Sequence, residues 1–168
     1  SALQFTSRRK YARGIIGEVL AIGGIAISVP YAVLFVFAAL KAGPSSPETL
    51  SAFYEDSIWQ NMALINGGYL VLVGKWALSV VFGWVWAMLG LLCSVMFLNR
   101  YVGAIIPFIV YQTLWSILAN SKYNPVYLLN GNNAYWGSIW EMLGIQILAS
   151  LFLVLLSHLL ICWRCRRV

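Results

Sequence analysis

The sequence predicts an all-α, polytopic membrane helical bundle with about four transmembrane helices plus a short extracellular surface helix. Three observations carry this. Of 168 residues, 61% are apolar and only 10% charged, with a mean hydropathy of +0.81, against roughly 45–50% and about 25% in soluble domains. Apolar side chains on that scale exceed what one small interior hides from water, so a soluble monomer is excluded and lipid becomes part of the solvent. Second, the apolar residues fall into stretches of span length. Third, the arginines gather on one face of the topology that those stretches imply.

The stretches are Ile15–Leu40, Met62–Leu98, Val102–Ala119 and Ser138–Trp163. A span needs about 20 residues. The second stretch is too long for one upright helix and is interrupted by Gly67-Gly68 and Lys75, so the span proper is read as 76–98, with Ile65–Gly74 a helical lead-in or short re-entrant element. The third is read as 101–119, its Pro107 tolerable where neighbouring helices or water meet the freed carbonyl. Spans at about 15–40, 76–98, 101–119 and 138–163 then form one transmembrane domain over 1–168, with a basic segment at 1–13 and outer loops at 41–75 and 120–137. Arg8, Arg9, Lys10 and Arg13 precede the first span, Arg100 lies between the second and third, and Arg164, Arg166 and Arg167 follow the fourth. Four spans put all of them on one side, read as cytoplasmic, and leave Lys41, Lys75, Lys122, Glu48, Glu55 and Asp56 outside. A fifth span would scatter the arginines. Both termini are expected inside.

The first outer loop opens on the chain-breaking run Gly43–Pro47, followed by Leu50, Phe53, Tyr54 and Ile58 at helical spacing, which predicts the surface helix. The second contains Asn124-Pro125 and Asn130–Asn133, turn formers, with Trp136 and Trp140 at the re-entry into the headgroup layer. No cleavable signal is visible, because the first apolar stretch is too long for a signal core.

Glu18, Lys75, Glu141 and His158 are the intramembrane polar candidates. Glu18 and Lys75 lie near span ends, where snorkelling competes with a transport role, and Glu141 suits a helix N-terminus. His158 is the sole histidine, so a metal site is not expected and a neutral imidazole bonded to a neighbouring helix is favoured. Cys162-Trp163-Arg164-Cys165 has C-x-x-C spacing, but Cys93 is the one other cysteine and zinc needs four ligands. Small residues at Gly14, Gly17, Ala21 and Gly24, and at Gly83, Ala87 and Gly90, would allow close helix packing. Neither a catalytic triad, a zinc-protease motif nor a phosphate loop is present, so no catalytic or cofactor-binding residue is assigned and the chain is not read as an enzyme.

The order of elements resembles the second two-thirds of an ABC-2 type transporter permease. The likeness lies in the basic Ser7-Arg8-Arg9-Lys10-Tyr11 before a long span, a small-residue-rich span ending Ser94-Val95-Met96-Phe97-Leu98-Asn99-Arg100, a short span with Ile106-Pro107-Phe108, an outer loop with Asn124-Pro125, and a last span closed by arginines. The family usually has six spans, and the lack of the first two here suggests a fragment or an incompletely represented subunit. The resemblance implies the membrane subunit of an ATP-driven exporter in a bacterial plasma membrane, coupled to a separate ATP-binding subunit that carries ATP and Mg. Its further partners would be a second permease subunit or a second copy of the chain, and membrane lipid, with no nucleic acid. Arg8, Arg9, Lys10, Tyr11 and Arg13 occupy the position of the family's coupling helix. Two other classes stay open: a small-molecule-capturing subunit of an energy-coupling uptake system, and a non-transporting tetraspan scaffold.

Overall fold

A computed structural model of the chain describes residues 2–42, 54–55, 57–60, 62–63, 68–131 and 137–165. It is all-helical over these residues: α1 Ala2–Ala42, α2 Tyr69–Phe97, α3 Arg100–Ile117, α4 Pro125–Asn130 and α5 Ile139–Arg164. Three helices are long and apolar enough to cross a membrane, within α1, α2 and α5; α3 is a shorter apolar helix. Most of the expected surface helix, the Gly43–Pro47 run, Trp136, Arg166 and Arg167 lie outside the described residues.

The helix α1 is continuous from the basic segment through the apolar stretch. At 1.5 Å per residue its 41 residues reach about 62 Å, roughly twice the hydrocarbon thickness, so it outruns any single span. Helix α2 likewise absorbs the lead-in from Tyr69 onward, which puts Lys75 on its second turn.

The helix α2 is the hub, packing against α1, α3, α4 and α5. It runs antiparallel to α1, with Gly23 against Gly83 and Ala87 at mid-helix and Gly24 against Val80 and Trp84. A Cβ on Gly83 would collide with the Gly23 carbonyl, so the two backbones touch with no side chain between them. Gly14 and Gly17, read in the sequence as part of such a face, have nothing within 4 Å of the Cβ position.

A sharp reversal links α2 to α3. Leu98 takes the left-handed conformation at φ 53°, and Asn99 caps α3 by accepting a 2.9 Å hydrogen bond from the Tyr101 amide. The hairpin closes on Gly90 and Gly103: a Cβ on either would lie 2.8 Å from the other's carbonyl oxygen. Pro107 cannot donate to the Gly103 carbonyl, and that oxygen lies against Gly90, so a neighbouring helix covers the group that proline leaves without a helical bond. Phe82, Trp86 and Tyr111 extend the contact, with Trp86 and Tyr111 edge to face at 5.4 Å.

The helix α5 runs parallel to α2. Ile139 joins Val71 and Leu78 in one buried cluster at the far end, while Ile161 joins Met88, Ala12 and Ile16 in a second. These pairings gather the start of α1, the α2–α3 turn and the end of α5 at one end, here the basic end, and α4 with residues 54–63 at the far end. The outward faces are largely apolar: Ile22, Val33 and Leu34 on α1 and Leu148, Phe152 and Leu155 on α5 are all exposed, as suits lipid contact.

Candidate functional site

At the basic end, Arg8 is half-buried, whereas Arg9, Lys10, Tyr11 and Arg13 are exposed around the opening turns of α1. Ala12 and Ile16 are buried against α2 and α5, which fixes that helix and turns the charged side chains outward. The basic residues are thus turns of the long helix itself and not a separate segment. Arg164 closes the same end from α5, its Nη2 donating to the Met96 carbonyl at 2.6 Å. A guanidinium there satisfies a terminal carbonyl of α2 and opposes the negative end of its dipole.

Two polar candidates lie between the basic end and mid-bundle. His158 is half-buried, with Nε2 3.9 Å from the Cys162 sulfur one turn on, a weak contact within a single helix. Among the described residues no three metal-ligating side chains come together. Glu18 is exposed on the outside of α1, and no hydrogen bond or ion pair is formed to it by the described residues.

The far end is built around α4. Asn124 is 2% exposed. Its Oδ1 accepts from the Val126 amide at 2.9 Å, and its Nδ2 donates to the Leu118 and Trp115 carbonyls at 3.2 and 3.4 Å, so one side chain both caps α4 and ties it to the end of α3. Asn130 reaches two further elements: its Oδ1 accepts from the Tyr31 hydroxyl of α1 at 2.8 Å, and its carbonyl accepts from Trp59 Nε1 at 3.0 Å. Gln146 of α5 donates to the Leu128 carbonyl at 2.9 Å. Trp59 is completely buried. A Cβ on Gly131, whose φ is +63°, would lie 2.7–2.9 Å from its ring; glycine serves both the left-handed cap and the ring that it accommodates.

Lys75 belongs to this cluster. It is buried at 9% exposure, with its ammonium 4.7 Å from the Tyr54 ring centre and 5.8 Å from that of Trp59, within cation–π range. Burial raises the Tyr54 phenol above its ordinary value of 10.0, so the ring facing the ammonium is neutral. Glu141 sits apart and exposed on the first turn of α5, where Ser138 Oγ accepts from its amide at 3.4 Å. A carboxylate there complements the helix N-terminus.

Of the sequence candidates, the structure brings the basic residues to one end and Lys75 into the far-end cluster, and leaves Glu18, Glu141 and His158 separate from each other. Trp59, Asn124, Asn130 and Gln146 escaped the sequence reading as tertiary contacts; the Asn124-Pro125 cap was their one local signal. Comparison with known proteins finds no family model, no curated protein and no solved structure that matches the chain.

Proposed function

We propose that the chain is the membrane-spanning, non-catalytic permease subunit of an ATP-driven ABC-type exporter. In this reading α1, α2, α3 and α5 each cross a bacterial plasma membrane, the basic end is cytoplasmic and the α4 cluster is extracellular. Arg8, Arg9, Lys10, Tyr11 and Arg13 dock a separate ATP-binding subunit that holds ATP and Mg, and a second permease subunit or second copy completes the path. The observation that carries the reading is the projection of exposed cations and Tyr11 from the opening turns of a helix rooted in the core by Ala12 and Ile16. A push on those turns reaches the Gly23–Gly83 crossing through one continuous helix. The long α1 therefore offers a rigid lever between a cytoplasmic partner and the middle of the bundle.

The test is purification from the native membrane in mild detergent with mass-spectrometric identification of stoichiometric partners. An ATP-binding subunit that is retained by the wild-type chain and lost on combined Arg8→Glu, Arg9→Glu and Lys10→Glu replacement supports the reading. A chain that brings no ATPase, or a triple variant that keeps it, contradicts it.

A further inference from the structure

The outward face of α1 carries a charge where lipid offers no counterpart. Glu18 shares that face with Tyr11, Gly14, Ala21, Ile25 and Val29, all exposed, while Ala12, Ile16 and Gly23 on the opposite face pack against the bundle. Its depth follows from the crossing. Gly23 lies opposite Gly83 and Ala87, and Glu18 is five residues, about 7.5 Å, nearer the basic end. Along α2 the distance from that crossing to Met96, where Arg164 binds, is about 16 Å. Glu18 therefore stops about 9 Å short of the level where Arg164 binds and about 7.5 Å beyond Arg13 on its own helix, a gap that its short stem does not snorkel across as lysine or arginine would. Intramembrane carboxylates face a bundle interior or a partner because hydrocarbon cannot solvate them. Among the described residues Glu18 faces neither.

We infer that this face of α1 docks a transmembrane helix of a partner polypeptide that brings a lysine or arginine to the depth of Glu18. Gly14, Gly17 and Ala21 leave the room for close approach: at both glycines nothing lies within 4 Å of the Cβ position. The charge selects the occupant. A second copy related by a two-fold axis along the membrane normal would set Glu18 against Glu18, and like charges at membrane depth repel, whereas a basic side chain neutralises the carboxylate. The inference does not rest on the exporter reading, because an ATP-binding subunit would meet α1 at its basic turns and not here.

The experiment places a photoreactive amino acid at Ile25 of the full chain in its native membrane, with a second probe at Phe152 on α5 as the lipid-facing reference. The expected result is a protein adduct from the Ile25 probe alone, crosslinked to an apolar span containing lysine or arginine. It should fall at least tenfold in Glu18→Lys and return when that partner residue is changed to Glu in the same background. The partner-side change alone must also abolish the adduct, which keeps the test valid even if Glu18→Lys folds poorly. Adducts with lipid only, adducts with a second copy only, or an adduct that neither change diminishes would overturn the inference, whatever the fate of the ATP-binding subunit.

Discussion

Trp59 shows how an aromatic side chain in the segment before α2 becomes structural. Its ring is enclosed by Gly74, Gly131 and Ile139, and its indole N–H is spent on the Asn130 carbonyl. Trp59→Ala is therefore expected to cost about 3–5 kcal/mol, the range for emptying a large aromatic site, read as a lowered unfolding midpoint in detergent. Tyr31→Phe removes only the hydroxyl bonded to Asn130 and should cost about 1 kcal/mol in the same measurement. Lys75 was legible as a charge near a span end, but not in its contacts: snorkelling is a property of one side chain and its depth, whereas the Tyr54 and Trp59 rings arrive from a segment distant in sequence.

At the scale of elements, the small residues were legible and their partners were not. The spacing of Gly83, Ala87 and Gly90 marks a packing face on α2, and it packs, Gly83 and Ala87 on Gly23 of α1 and Gly90 on Gly103 of α3; of the Gly14–Gly17–Ala21–Gly24 series that spacing singled out on α1, Gly24 meets Val80 and Trp84 of α2, while Gly14 and Gly17 have nothing within 4 Å of the Cβ position. Periodicity reveals which residues share a face but not how two helices are rotated against each other. Gly83→Val is expected to separate α1 from α2 and lower stability by about 1–3 kcal/mol, as overpacking does, with Gly14→Val near neutral by comparison in the same unfolding assay. Leu98, at φ 53° and 81% exposed, contributes a strained turn and little buried surface. Leu98→Gly should thus raise the unfolding midpoint, by an amount matching about 1 kcal/mol. The helix bounds followed hydropathy where caps reinforced it, as at Ser138 for α5, and missed the run of α1 back to Ala2 because polar helix turns carry no hydropathy signal.

For the whole molecule, the distribution of arginine and the packing of helices are two independent lines that agree on which ends belong together. The α1 start, the α2–α3 turn and the α5 end carry Arg8–Arg13, Arg100 and Arg164, and the contacts among Ala12, Met88 and Ile161 and between Arg164 and Met96 gather those ends physically. Charge placement reflects insertion and packing reflects complementarity, so the two need not have coincided. The weak point of a hydropathy reading is α3, which at 18 residues spans about 27 Å, just under the hydrocarbon thickness. The exporter reading depends on its crossing the bilayer.

That crossing is measured directly by single cysteines in a chain whose Cys93, Cys162 and Cys165 are replaced by serine, treated in intact cells with a membrane-impermeant maleimide. Lys122→Cys, beyond the end of α3, should label from outside, while Lys10→Cys and Asn99→Cys should label only once the membrane is opened. Asn99→Cys and Lys122→Cys labelling from the same side would make α3 re-entrant, leave three crossings, and contradict the four-span architecture with its cytoplasmic arginine edge.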